Sequence, residues 1–211
     1  MQQGGCARAV MEVSSHGIDQ ERIWGIPFDI AVFMNLTQDH LDYHDDFESY
    51  YQAKARLFKG VGAPAPRISI VNIDDSWGKR LADEILDQNE VWSFGKRADA
   101  RFQVVIKELN ARGGSFDLVD TLHGESISVK TALLGEYNVY NLVAAILIAK
   151  SSDVSNLEIL ERIDCLPAVP GRMELVSSND DVNVLVDYAH TDDAIRNALM
   201  MLKSITQGNV H

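Results

Sequence analysis

The stretch Asn35-Leu-Thr-Gln-Asp-His-Leu-Asp-Tyr-His-Asp-Asp-Phe-Glu-Ser-Tyr-Tyr-Gln-Ala-Lys-Ala-Arg-Leu-Phe58 decides how this chain is read. It starts inside an apolar run, Asp29 to Leu36, whose composition predicts a buried strand. A polar loop follows, with His40 and His44 set among Asp39, Asp42, Asp45 and Asp46. Asp45 or Asp46 can cap a helix, because a carboxylate there accepts a hydrogen bond from an otherwise unpaired N–H of the first turn. Phe47, Tyr50, Tyr51, Leu57 and Phe58 then recur at helical spacing, and Gly60 stops the helix. Strand, polar loop and helix in that order are the opening of a βαβ unit.

The neighbouring segments extend the pattern. Ala7 to Val13 is a short, mostly apolar run that predicts a further buried strand, broken by Ser14-Ser15-His16-Gly17 and followed by a short helical piece to Trp24. Arg67 to Ile73 predicts a strand, Asp74-Asp75-Ser76 the cap of a helix to about Gln88, and Val91 to Phe94 another strand. This alternation predicts an α/β layered domain with a mostly parallel sheet. Phe102–Leu109, Ser115–Val119 and Ser126–Thr131, with Gly113-Gly114 between the first two, read as an antiparallel meander. Asn138 to Lys150 is a strongly apolar helix to be packed on the sheet, and a second helix spans about Asn156 to Ile163. Pro167 and Pro170 bracket a linker. Beyond it a strand, Val182 to Asp187, and a helix, about Asp192 to Ser204, open a second, Rossmann-like unit. The expected division is 1–166 and 167–211. One βα unit cannot bury its own core, and a central strand almost at residue 1 lacks its neighbours. The pattern therefore predicts an internal piece of a longer protein.

Composition narrows the function classes. Hydrophobic residues make up 46% and charged ones 24% of the 211, as in ordinary globular proteins. The formal net charge of -12 argues against a nucleic-acid backbone or an anionic membrane as the main partner. An anionic nucleotide held by metal and backbone N–H groups remains compatible with it. Cys6 and Cys165 form no CxxC pair and read as small core residues in a reduced compartment. No run reaches the length of a membrane helix, and the first residues lack the basic and apolar regions of a signal peptide.

Ligands of α/β proteins gather at the carboxyl ends of parallel strands. Three polar clusters fall at such ends: Glu12 to His16, Asn35 to His44, and Asp187-Tyr188-Ala189-His190-Thr191. Glu12 closes an apolar run, so its carboxylate needs a partner. That partner is a hard cation such as Mg²⁺, or Arg8 or Arg22. His40 either ligates metal or caps its turn. His16, His40 and His44 match no HExxH or tight zinc spacing, so a metal hydrolase gains little support. Lys54 lies between Ala53 and Ala55. It is an exposed helix lysine, a phosphate-binding ammonium, or a lysine carbamylated by CO₂, the last requiring a neutral amine. No Gly-Lys-Ser/Thr run and no GxGxxG occurs: Arg80 and Arg97 follow the Gly-Lys pairs.

Six ordered motifs carry a resemblance. They are Glu12-Val-Ser-Ser-His-Gly17, Asn35-Leu-Thr-Gln-Asp-His-Leu-Asp-Tyr-His44, Ala53-Lys-Ala-Arg-Leu-Phe58, Asn138-Val-Tyr-Asn141, Pro170-Gly-Arg-Met-Glu174 and Val186-Asp-Tyr-Ala-His-Thr191. Over nearly its whole length the chain resembles the Mur ligase family, in the branch that adds the third residue of the peptidoglycan stem peptide. The resemblance implies a cytoplasmic ATP- and Mg²⁺-dependent amide ligase, monomeric at full length. It would activate the carboxylate of UDP-N-acetylmuramoyl-L-Ala-D-Glu as an acyl phosphate for attack by an amino acid, meso-diaminopimelate or L-lysine. By motif position, Glu12 and His40 would be magnesium ligands, and Lys54 the carbamylated lysine placing a second magnesium. Ser14 and Arg22 would contact the muramyl substrate. Asn138 and Asn141 would lie at the nucleotide, Arg172 would reach the γ-phosphate, and Asp187 would hold the ribose, with Tyr188 and His190 in the same cleft. The family's P-loop, its uridine-binding domain and most of its last domain are not in this sequence. Asp192 stands where the family has Pro. The resemblance thus implies that these residues alone do not form peptide bonds. A folylpolyglutamate- or cyanophycin-synthetase-like ligase and a non-catalytic nucleotide- or partner-binding remnant are the other readings.

Overall fold

A computed structural model describes residues 5–37, 43–167, 169–178, 182–206 and 208–210, with the side chains of Ser178 and Asp193 outside that description. The elements run α1 (Ser15–Asp19), β1 (Ile30–Phe33), α2 (Phe47–Lys59), β2 (Ile68–Asn72), α3 (Ser76–Ile85), β3 (Glu90–Gly95), β4 (Phe102–Asn110), β5 (Gly113–Asp120), β6 (Glu125–Thr131), α4 (Glu136–Lys150), α5 (Asn156–Asp164), β7 (Glu174–Ser178), β8 (Asn183–Val186) and α6 (Asp192–Ile205).

Strands β1 to β6 form one sheet in sequence order. The β1/β2, β2/β3 and β3/β4 pairings are parallel, and β4/β5 and β5/β6 are antiparallel. Helices α2 and α3 connect the parallel strands β1, β2 and β3. Strand β4 follows a short connection without a helix and pairs parallel with β3 only at Phe94–Phe102 and Gly95–Gln103 before the sheet becomes a meander. The sheet is thus mostly parallel first and antiparallel after, as the sequence predicts.

Period-two alternation sorts the side chains onto two faces. Ile68, Ile70, Trp92, Phe94, Phe102, Val104, Phe116, Leu118, Ile127 and Val129 face α4 and α5 in the larger core. Ala31, Phe33, Val71 and Ile73 face α2 and α3 in the smaller one. Helix α4 is apolar nearly all round and buries Val139, Leu142, Val143, Ile146 and Leu147 across the sheet. Both connecting helices begin at the aspartates the sequence marks out. Asp46 accepts from Ser49 N at 2.7 Å and caps α2, and Asp75 accepts from Gly78 N at 2.9 Å and caps α3.

Four expectations are corrected. Ala7 to Val13 forms no strand, and Val10 is 90% exposed. An apolar run becomes a strand only beside a strand it can pair with, and this segment does not pair with β1. Cys6 and Cys165 are exposed rather than core residues. Cys6 lies in that irregular segment, and Cys165 is the C-cap of α5, off the face that buries Ile159 and Ile163. Gly113-Gly114 lies inside β5, not in a turn. A Cβ on Gly113 would sit 1.9 Å from Thr131 O, so only glycine lets β6 pair this closely. The last segment opens with an antiparallel hairpin, β7/β8, before α6. Leu134, Met173 and Met201 are buried where this unit meets the start of α4, while Leu175, Val176, Val184 and Val186 stay 42–50% exposed. Two strands and a helix cannot cover both of their faces.

Candidate functional site

The parallel strands end on a cleft of about 580 Å³, within the range that holds nucleotide-sized ligands. Met34 and Asn35 after β1, and Asn72, Asp74 and Asp75 at the end of β2, form its floor. Gly135, Glu136, Tyr137, Tyr140 and Asn141 at the start of α4 form one wall, and Asn197, Met200, Met201, Ser204 and Ile205 of α6 the other. This is the crevice outside the carboxyl ends of the strands where α/β sheets bind ligands.

The floor is fixed by its own hydrogen bonds. Asn72 Nδ2 donates to Met34 O at 2.8 Å, and Asn72 Oδ1 accepts from Asp74 N at 3.1 Å, tying the ends of β1 and β2 together. The Asp74 carboxylate accepts from Lys96 N (2.6 Å), Arg97 N (3.2 Å) and the Tyr140 hydroxyl (2.5 Å). It thereby joins the end of β2, the turn after β3 and the wall helix α4. Gly95 makes this possible: a Cβ there would lie 2.7 Å from Asp74 Oδ1. Burial, then the bond to Asp74, pushes the Tyr140 phenol far above its usual range. Gly135, at φ 86°, caps α4 without a side-chain bond, so the positive end of the helix dipole borders the cleft.

The sequence-marked residues fall into three groups. At the cleft, Asn141 lines the wall and donates to Asn138 Oδ1 at 3.3 Å. Asn138 is buried and donates to Leu134 O at 2.8 Å, holding the turn that enters α4. In the β7/β8 unit, both Asp187 oxygens accept backbone N–H groups, Met173 at 2.9 Å and Ala189 at 2.8 Å. Arg172 is exposed one residue before buried Met173. Burial, reinforced by the Asp187 charge and opposed by Arg172, pushes the Tyr137 phenol up to about 12. Asp187 and Arg172 therefore act electrostatically on a residue of the cleft wall. Tyr188 is 69% exposed, packs edge-on against His190 and is not among the cleft-lining residues.

The third group lies on and around α1 and on α2, where Lys54 sits. Its Nζ stands 5.2 Å over the Tyr50 ring, and it is half-buried between buried Ala53 and Ala55. Ser14 caps α1 by accepting from Gly17 N at 3.1 Å. Glu12 and Arg22 are exposed on either side of α1, Arg22 donating to Gln20 Oε1 at 2.6 Å. His40 lies outside the described residues. Among the described residues no three His, Cys, Asp or Glu side chains come together as a ready metal cage.

Several residues escaped the sequence reading. Asp74 and Asp75 were legible only as helix caps, although they too close a parallel strand. Tyr140 lies between two marked asparagines. The α6 wall had no local signal, since only tertiary packing brings it opposite α4.

No helix among the described residues is long and apolar enough to cross a membrane. The Mur ligase middle domain family matches residues 1–149, and the Mur ligase glutamate ligase domain family matches residues 171–211. The chain is 40% identical over 209 residues to a UDP-N-acetylmuramoyl-L-alanyl-D-glutamate--2,6-diaminopimelate ligase of Thermosynechococcus vestitus, covering 98% of this chain and 41% of that protein. It is 41% identical over 204 residues to the enzyme of that name from Fusobacterium nucleatum, covering 95% and 40%. A solved structure of a ligase of that name superposes with a TM-score of 0.81 at 31% identity, over 98% of this chain and 42% of the other. The UDP-N-acetylmuramate-alanine ligase of Thermotoga maritima, at 20% identity and a TM-score of 0.66 over 85% of this chain and 39% of its own, shares the fold. The chain thus spans about 40% of the length of the curated relatives it matches. With the parallel-to-antiparallel sheet, the strand-end cleft and two family domains matched in order, the chain belongs to the Mur ligase family.

Proposed function

We propose that this chain contributes the nucleotide-facing part of a cytoplasmic, ATP- and Mg²⁺-dependent ligase. The reaction joins diaminopimelate to UDP-N-acetylmuramoyl-L-Ala-D-Glu in peptidoglycan synthesis. The observation that carries this reading is the cleft of about 580 Å³ between the strand ends, the start of α4 and α6, in a chain matched by both Mur ligase domain families. The relatives' names, which specify 2,6-diaminopimelate, favour that amino acid over lysine.

ATP supplies the phosphoryl group that activates the substrate carboxylate, and Mg²⁺ offsets the charge gathered there. This chain's residues bind and orient. Asn141 offers an amide to the base, and Asn138 keeps the entry of α4 in place. Glu12, His40 and carbamylated Lys54 supply oxygen and nitrogen donors for the metal. Ser14 and Arg22 face the muramyl substrate. Arg172, Asp187, Tyr188 and His190 belong to a unit, 167–211, that moves as a body against 1–166. Its closure brings Arg172 to the phosphates, Asp187 to the ribose, and shuts water out.

Titration of the 211-residue chain with a fluorescent N-methylanthraniloyl-ATP and Mg²⁺ tests the reading. Saturable binding, weakened at least about tenfold in Asn141→Ala as the loss of buried polar contacts to a ligand requires, is expected. Binding that is absent, or equal in the wild type and Asn141→Ala, refutes the assignment of this cleft to the nucleotide. Lacking a Gly-Lys-Ser/Thr run, the chain is expected to release no ADP from ATP when given both substrates.

A further inference from the structure

One buried histidine has no part in the reading above. His44 is 6% exposed, at the entrance to α2, and its Nε2 lies 2.9 Å from Ser15 Oγ, itself 1% exposed. A buried imidazole and a buried hydroxyl are costly unless paired, and here they pair with each other across 29 residues. The imidazole also stacks on Tyr50, with centroids 5.1 Å apart and planes 19° from parallel. Tyr43 meets His44 edge-on at 4.9 Å, and His16 closes the cluster at 3.8 Å from Tyr43. Tyr50 is 4% exposed in the first turn of α2, and Lys54 follows one helical turn later, the spacing at which side chains on a helix meet.

We propose that His44 is a positioning residue for the Lys54 amine: anchored to Ser15, its imidazole holds the Tyr50 ring that lies 5.2 Å beneath Lys54 Nζ. The chain of contacts runs from α1 through the loop to α2. Ser15 adjoins Ser14, the proposed substrate contact, so the same imidazole fixes the lysine helix relative to the substrate segment. This deepens the proposed function by assigning what orients Lys54, and its importance for ligation rests on that reading. The geometric claim does not.

The test is quantitative labelling of each lysine in the 211-residue chain with trinitrobenzenesulfonate, read from peptide masses. Lys130 serves as an exposed reference, and Lys59, which shares α2 with Lys54 and bonds Glu84 at 2.9 Å, reports whether the helix is still packed. A cation held over a ring is less reactive, so His44→Ala and Ser15→Ala should each raise Lys54 labelling roughly two- to fivefold against Lys130, with Lys59 unchanged. Tyr50→Leu should do the same, and Tyr50→Phe should not. His44→Gln, whose planar amide keeps a partner for Ser15 and a flat face for Tyr50, should restore the wild-type rate. Unchanged Lys54 labelling in His44→Ala, or His44→Gln behaving like His44→Ala, overturns the proposal. Nucleotide titration of the same variants is read separately, so failure of the nucleotide assignment does not conceal the result.

Discussion

Replacing Asp74 with alanine should uncouple the wall helix from the sheet. Its carboxylate accepts three hydrogen bonds from two other parts of the fold: Lys96 N and Arg97 N after β3, and the Tyr140 hydroxyl on α4. A hydrogen bond to a charged group contributes about 1.5–3 kcal/mol when buried, but Asp74 is exposed, so each is worth nearer ~0.5–1 kcal/mol. The sum is about 1.5–3 kcal/mol, and for a chain of this size that lowers the melting temperature by roughly 3–12 °C. Denaturant melts followed by circular dichroism measure it. A double-mutant cycle with Tyr140→Phe isolates the phenol–carboxylate part, which should couple by about 0.5–1 kcal/mol, above the noise of independent sites. Asp74→Asn, which keeps one carbonyl acceptor, should lose about half. A cost below about 0.5 kcal/mol for Asp74→Ala, or strict additivity with Tyr140→Phe, would show that the carboxylate does not join these elements. Because Tyr140 also lines the cleft, a destabilising Asp74→Ala should weaken the binding of methylanthraniloyl-ATP as well.

Other expectations follow from single contacts. Arg80 donates to both Glu48 oxygens, at 2.6 and 2.8 Å, and with Gln52 it holds the Glu48 carboxyl down at about 2 from an ordinary 4.5. A lowered folded value means the pair's contribution is complete above 4.5 and fades as pH falls toward 2. Glu48→Gln should therefore be the less stable protein at neutral pH, with the difference between its melts and the wild type's closing over that window; a gap that persists at the acid end contradicts the assignment. Gly135→Ala should strain a φ of 86° and set a Cβ 2.8 Å from Met201 Cγ, costing about 1–3 kcal/mol and pushing α6 off α4, which intrinsic Trp fluorescence cannot see but methylanthraniloyl-ATP titration can. Leu147→Ala, at a fully buried position between α4 and the sheet, should cost about 2–5 kcal/mol in the same melts, and a loss under 1 kcal/mol would mean the larger core is not close-packed there.

Much of the fold was legible because its signals are local. The apolar run that became β2 buries every side chain, as burial on both faces of a central parallel strand requires, and the run that became β3 buries Trp92 and Phe94 while Val91 and Ser93 stay half-buried. Asp46, Gly60 and Asp75 mark helix ends through bonds and backbone angles that span only a few residues. The short connections of the meander left no room for a crossover, so those strands had to turn antiparallel. Motif order along the chain was enough for the family, and the two domain matches bear it out.

The sequence alone determined the layering, the helix caps and the family, since each depends on periodicity or on residues close in the chain. Only the tertiary structure decided which groups meet. Ala7–Val13 had a strand's composition, but a strand exists only with a pairing partner, and this segment pairs with no strand among the described residues. Ser15 and His44, and Asp74 and Tyr140, are separated by 29 and 66 residues, and neither partner of a pair carries a sign of the other. The cleft is the same kind of object. Its floor comes from two strand ends and its walls from helices far apart in the chain, so it exists only once the sheet has brought the strand ends together.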